Sequence, residues 1–133
     1  MKMDKLKSKG LRIEQKVREC LSKEYKMPLG KEKLLIGHRS NGEKIYHEFD
    51  LVSEDKSIVG EVKSYKFGNR RTGESGYTTT RKARLLMACF YLEKIKAKTK
   101  LLVLTNKKLC DRFKNEFNGL LSSNIIIMYV PIK

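Results

Sequence analysis

Three ionisable side chains, Asp50, Glu61 and Lys63, stand within two consecutive apolar segments of the sequence. Glu61 and Lys63 are two residues apart, and the period of two along a β-strand places them on the same face. A polar turn near Asp55 separates the segments, so a hairpin would bring Asp50 roughly opposite Gly60 and Glu61. Directly opposed residues have Cβ atoms about 4.5–5.5 Å apart. The spacing therefore predicts that two carboxylates and one ammonium group converge.

The chemistry of such a group is that of a metal-assisted hydrolase. Two close carboxylates repel and raise each other's pKa unless a cation lies between them. Mg²⁺ is held by one or two carboxylates and keeps several waters, and Mn²⁺ is the expected substitute. A bound ion would polarise a phosphodiester oxygen and lower the pKa of a coordinated water. Lys63 would orient the attacking water or stabilise the charge that grows on the phosphate.

The triplet Asp/Glu-x-Lys is common in a chain so rich in lysine. It occurs four times, and Glu61-Val62-Lys63 is the occurrence that lies inside an apolar strand. The alternative interpretation is a surface ion pair between Glu61 and Lys63, which would contribute little to stability. A carboxylate buried there without a partner would be costly, which favours a functional role.

The net charge indicates the partner. The 133 residues carry 30 Lys and Arg against 15 Asp and Glu, a formal charge of +15. Such an imbalance favours a polyanion, with nucleic acid first and an anionic membrane surface second. No apolar run approaches the roughly 20 residues of a membrane span, and the N-terminus does not resemble a secretory signal. We therefore expect a cytoplasmic protein without a membrane partner, whose Cys20, Cys89 and Cys110 are small core residues in a reducing compartment.

The elements that must position these residues follow the order α-β-β-β-α-β-α-β. We expect a basic tail over residues 1–10 and a single domain over 11–133. Asn41-Gly42 predicts a tight hairpin, and Thr78, Thr79 or Thr80 can cap the second helix. The last two strands are apolar on both faces, which favours central, helix-covered positions. The expected boundaries are helices at 11–25, 78–97 and around 109–121, and strands at 33–38, 45–52, 57–65, 101–105 and 125–130.

Phe49-Asp50 and Gly60-Glu61-Val62-Lys63 resemble the signature of the PD-(D/E)xK, or restriction-endonuclease-like, nuclease superfamily. The order of elements over 11–105 agrees with that family's αβββαβ core, an α/β fold whose mixed central sheet is flanked by helices, and a C-terminal helix and strand are added. The resemblance implies Mg²⁺-dependent cleavage of DNA. It makes Asp50, Glu61 and the Val62 backbone carbonyl metal ligands, and Lys63 the catalytic base or charge stabiliser. Phe49 replaces the proline of the family's name at a position that is loose across the family.

A further acid is suggested by the first helix. Lys9-Gly10-Leu11-Arg12-Ile13-Glu14 resembles the Gly-x-x-x-Glu start of archaeal Holliday-junction resolvases, which implies Glu14 as a catalytic residue and metal ligand. Glu14 lies at the edge of the apolar helix face, from which it would reach the sheet. An ordinary exposed helix glutamate is the alternative. On the second strand, Glu48 is a reserve ligand, whereas His47 is assigned to the opposite face, with Phe49 and Leu51, in a structural role.

Basic residues close to the predicted site are candidates for contacts with nucleic acid. A phosphate at the start of the second helix would also meet free backbone N–H groups. Contacts of this kind position a duplex without reading its sequence. A merely solvated basic face is the alternative. The candidates are Lys66, Arg70, Arg71, Arg81, Lys82 and Arg84.

The sequence thus predicts an Mg²⁺-dependent DNA endonuclease that acts on double-stranded or branched DNA, as in resolution, repair or recombination. A homodimer is plausible because cutting two strands takes two sites. Two alternatives stay open: a catalytically inactive nucleic-acid-binding module of the same fold, and an RNA-binding protein.

Overall fold

The computed structural model describes residues 2–65, 77–122 and 124–132, with side chains from residue 12 onward. Within these ranges the order of elements is the predicted one. The elements are α1 (Lys2–Tyr25), β1 (Leu29–His38), β2 (Lys44–Ser53), β3 (Ile58–Lys63), α2 (Thr79–Glu93), β4 (Thr99–Leu104), α3 (Lys107–Glu116) and β5 (Ile125–Tyr129).

The strands form one mixed sheet in the order β1-β2-β3-β4-β5. The first three strands are antiparallel neighbours, while β3, β4 and β5 run parallel. Gly42 takes a φ of +89° in the predicted hairpin turn, where Asn41 Oδ1 accepts the Glu43 N–H. Thr78 caps α2 by accepting the Arg81 N–H. The predicted α/β class with a mixed sheet is confirmed.

Two apolar cores cover the two faces of the sheet. On one face Val17 and Leu21 of α1 pack against Leu51, Val62 and Leu101. On the other face α2 and α3 supply a larger core around the sheet residues Phe49, Val52, Val59, Leu102 and Leu104. All positions of β4 after Thr99 are buried, as expected for a central strand covered on both sides. The result is an α/β/α arrangement of three layers.

Three expectations differ from the structure. α1 begins at Lys2 rather than Leu11, because its basic first turns have no apolar periodicity from which a helix could be predicted. β5 is an edge strand with Ile126 and Tyr129 exposed, so its predicted central position is wrong. Cys20 is exposed on α1, whereas Cys89 and Cys110 are buried as predicted. Among the described residues, no helix is both long and apolar enough to cross a membrane.

A β-bulge interrupts the pairing of β1 with β2 beside the predicted site. Gly30 pairs with Val52 and Glu32 with Phe49, so one residue of β1, Lys31, lies opposite two residues of β2. These two are Asp50 and Leu51. An extra residue in one strand breaks the alternation of side chains between the two faces. Phe49 and Leu51 consequently belong to different cores, although they are two residues apart.

Gly60 permits β3 to approach its neighbours at this point. A Cβ atom at Gly60 would lie 2.9 Å from the Leu101 carbonyl oxygen and 3.0 Å from Leu51 Cδ1. We expect Gly60→Ala to lower the free energy of unfolding by about 1–3 kcal/mol, because a backbone atom must move. Urea denaturation measures this change. Gly37→Ala is the matched strand control, since no atom lies within 4 Å of its Cβ position. Equal stability of the two variants would contradict the packing described.

Candidate active site

Asp50 lies where the β2–β3 ladder ends. Leu51 pairs with Gly60 and Val52 with Val59. Beyond Gly60, the Val62 N–H donates to Asp50 Oδ2 at 2.9 Å, so a side-chain oxygen accepts an amide that a strand carbonyl would otherwise accept. Burial raises the pKa of Asp50, and this hydrogen bond, which favours the ionised form, opposes the rise.

Glu61 is the most deeply buried acid among the described residues, with 4% of its surface exposed. Its Oε1 atom lies 2.7 Å from His47 Nε2, and the two atoms share one hydrogen bond. Burial raises the pKa of Glu61 to about 8, and the Asp50 carboxylate adds to the rise. Burial and the nearby Lys63 ammonium lower the pKa of His47. At neutral pH the pair is therefore largely uncharged, with a single proton between the two side chains.

His47 is held by aromatic contacts on the α2 side of the sheet. Its ring stacks on Tyr91 with the centroids 3.9 Å apart and meets the Phe49 ring edge to face at 4.7 Å. His47 shares a face with Phe49, as predicted, but not with Leu51, and it contacts Glu61, which the prediction placed with Asp50 on the other face. The bulge explains the error, because it puts Leu51, but not His47 or Phe49, on the α1 side.

Lys63 is the half-buried cation of the site. Its charge lowers the pKa of both Asp50 and Glu61, which places its ammonium within electrostatic reach of both carboxylates. The predicted trio thus shares one electrostatic environment at the end of the ladder. The two acids are supported from different sides: Asp50 by the β3 backbone and Glu61 by His47.

Glu14 and Glu48 meet at Lys31. The Lys31 Nζ atom lies 3.1 Å from Glu14 Oε2 and 3.8 Å from Glu48 Oε1. The Glu14 carboxylate adds to the raised pKa values of Asp50 and Glu61, so α1 does bring an acid to the site. The close contact with the Glu14 carboxylate is the main reason that the pKa of Lys31 is raised.

The donor atoms suit a hard divalent cation that retains water. In the described part of the chain, no three His, Cys, Asp or Glu side chains already surround a common point. Mg²⁺ requires only one or two carboxylates, and a buried and a half-buried acid, both with raised pKa values, would be stabilised by such a charge. Asp50 and Glu61 therefore fit the ion, provided that Glu61 exchanges its contact with His47 for it.

The predicted nucleic-acid contacts lie at the start of α2 and in the segment before it. The Arg81 guanidinium stands 5.2 Å from the Tyr65 ring centroid, and Lys82 donates to Glu116 at 2.8 Å. Arg84 is exposed. Lys66, Arg70 and Arg71 lie outside the described residues.

Two residues of the site were not predicted from the sequence. The contact of His47 with Glu61 was not expected, and Lys31 falls in a stretch before the expected start of β1. The only available signal was their proximity along the strands to acids, which is weak without the position of the bulge.

Comparisons of the chain with models of protein families, with curated proteins and with solved structures give no match. The functional assignment therefore depends on the geometry of the site.

The raised pKa of Glu61 makes the stability of the metal-free protein depend on pH. Native Glu61 keeps its proton up to about pH 8, whereas in the unfolded chain it loses it near 4.5. The native state binds more protons between these values, so stability falls as pH rises across them. The lowered pKa of His47 has the opposite sign but acts only below about pH 6.5.

Between pH 7.0 and 8.5 we expect the unfolding free energy of the wild type to fall by about 1 kcal/mol. Glu61→Gln should not show this fall, because glutamine does not ionise. Urea denaturation in EDTA at the two pH values measures this loss. Glu54→Gln, which changes an exposed turn acid, should retain the wild-type dependence. If the unfolding free energy of Glu61→Gln fell with pH as steeply as that of the wild type, Glu61 would have an ordinary pKa in the native protein.

Proposed function

We propose that this protein is a metal-dependent endonuclease that hydrolyses phosphodiester bonds in DNA, with Mg²⁺ or Mn²⁺ as its cofactor. The observation that carries the proposal is the contact of Asp50 with the Val62 amide. It joins the acid of β2 to the strand that presents Glu61 and Lys63. A positively charged chain with an acidic, partly buried centre fits a polyanionic substrate cut by a metal ion.

The finer fold assignment belongs to the same proposal. The α1-β1-β2-β3-α2-β4 succession, antiparallel up to β3 and parallel from β3 to β4, agrees with the restriction-endonuclease-like core. Such a core requires its acids at the point where the second and third strands separate. The end of the β2–β3 pairing at Gly60 supports this interpretation.

Each side chain has a separate role in the proposed reaction. Asp50, Glu61 and the Val62 carbonyl would hold the ion, with Glu14 as a further ligand. The ion would supply charge to a phosphate oxygen and acidify a bound water. Lys63 orients the attacking water or stabilises the negative charge that develops as the new P–O bond forms. The attacking water loses one proton to solvent as it bonds to phosphorus, the P–O bond to the leaving strand breaks, and the leaving oxygen takes up a proton from solvent.

A second candidate is a nucleic-acid-binding module that does not cut. It is favoured by the fact that the acids already have internal partners: Glu61 contacts His47, and Glu14 contacts Lys31. A metal titration separates the two functions, because a module of this kind would show no saturable Mg²⁺ or Mn²⁺ site.

Substitution of the trio tests the proposed reaction. We expect Asp50→Asn, Glu61→Gln and Lys63→Met each to lower the rate of cleavage at least about a hundredfold, because each removes charge stabilisation from the transition state. Cleavage of linear, nicked, flapped and four-way DNA with Mg²⁺ or Mn²⁺ measures the rates and ranks the substrates.

The turn between β2 and β3 offers matched controls. Glu54-Asp55-Lys56 has the same acid-x-lysine spacing as Glu61-Val62-Lys63 but is exposed. Glu54→Gln and Lys56→Met should therefore cut at the wild-type rate. Full activity in all three site variants would refute the assignment.

The charge of the chain predicts how its affinity for DNA depends on salt. A contact with six to ten phosphates would lose about 10³–10⁵ in affinity between 50 and 200 mM salt, because bound counterions are released. Fluorescence anisotropy with a labelled duplex, in EDTA to prevent cleavage, measures the slope. An RNA duplex of the same sequence, measured in parallel, tests whether the protein prefers RNA. A flat response would exclude both nucleic-acid functions.

A further inference from the structure

Lys31 occupies the centre of the acidic group on the α1 side of the sheet. The bulge places it opposite Asp50 and Leu51. Its ammonium is 3.1 Å from Glu14 and 3.8 Å from Glu48, and its charge also lowers the pKa of Asp50 and Glu61. One lysine on β1 thus interacts with acids from α1, β2 and β3.

The bond between Lys31 and Glu14 is chiefly electrostatic. Glu14 Oε2 is buried and has no hydrogen bond of good geometry, although Lys31 lies at 3.1 Å and Arg18 at 3.9 Å. This oxygen has a neighbouring positive charge but retains its capacity to accept or to coordinate. Such an atom is a ready ligand for a stronger cation.

We propose that Lys31 is the built-in counter-cation of this site and that it gives up its place when a divalent ion binds. The inference rests on the proposed function, since it concerns the ion of that reaction. An ammonium and a divalent cation repel each other, so an ion bound by Glu14 and Asp50 would weaken the attraction of these acids for Lys31. The Lys31 side chain is about one-third exposed and has a flexible stem, so its charge can move into solvent.

The exchange gives Lys31 two effects of opposite sign. Without metal it stabilises the fold, because it neutralises acids that would otherwise repel one another. With metal it competes, so it weakens the apparent affinity of the site. A lysine that merely contacts phosphate would have neither effect in the absence of DNA.

Lys31→Met tests the exchange, because methionine keeps much of the apolar stem and removes the charge. We expect the variant to bind Mn²⁺ and Mg²⁺ about tenfold more tightly than the wild type, measured by calorimetry without DNA. In EDTA at pH 8 the melting temperature of the variant should be lower than that of the wild type. Saturating Mg²⁺ should raise the melting temperature of the variant more than it raises that of the wild type. Lys33→Met is the matched control, an exposed lysine two positions further along β1 that should leave both quantities unchanged.

The outcomes separate this inference from the proposed function. Tighter binding by Lys31→Met supports the exchange, including the case in which only the variant binds measurably. Equal or weaker binding by the variant, with a saturable wild-type site, overturns the exchange but leaves the nuclease proposal intact. A loss of DNA affinity without any change in metal affinity would also overturn it and make Lys31 a phosphate contact. Absence of metal binding in both proteins overturns the exchange and the proposed function together.

Discussion

The ionisation of buried carboxylates is the constraint on which this structure depends. Glu61 is buried and Asp50 half-buried in the sheet, where an ionised acid loses much of its hydration. The protein offsets that cost in two ways: an amide donated to Asp50, and the charges of Lys31 and Lys63. The imidazole of His47 instead shares a hydrogen bond with Glu61. The pKa of each acid is nonetheless raised. Additional positive charge would therefore stabilise the ionised acids, which is the property expected of a cation site.

The bulge in β2 determines which side chains lie on the same face as Glu61. Without it, the alternation of side chains would put His47 on the face of Leu51, away from Glu61. The extra residue places Leu51 against α1 and leaves His47 and Phe49 facing α2, where Glu61 lies. A one-residue change of register alters the face of every side chain beyond it. The bulged residues of β2, Asp50 and Leu51, include no glycine, and Gly30 on β1 does not by itself indicate a bulge, so the contact of His47 with Glu61 could not be predicted.

Most of the fold could be predicted because its signals are local. The hairpin at Asn41-Gly42, the Thr78 cap and the apolar stripe of α2 each follow from a few adjacent residues. The position of β5 depends on the whole sheet, since an apolar strand has the same sequence pattern at the edge as in the centre. The approach of Asp50 to β3 was predicted from the length of the turn. The ion pair between Lys31 and Glu14 was not predicted, because it joins a strand and a helix that are packed together only in the folded protein.

The distribution of charge gives the acidic site a consistent physical role. An excess of 15 positive charges would attract a polyanion such as a nucleic acid to the protein as a whole, yet the acids around Asp50 would repel a phosphate locally. Lys31 and Lys63 only partly neutralise Glu14, Glu48, Asp50 and Glu61. A divalent cation carries one charge more than the Lys31 ammonium that it would replace, so the exchange would reduce the negative charge of the site and the local repulsion. Under the proposed function, entry of the ion and approach of the phosphate would therefore be coupled, and the ion would contribute to substrate binding as well as to the chemistry.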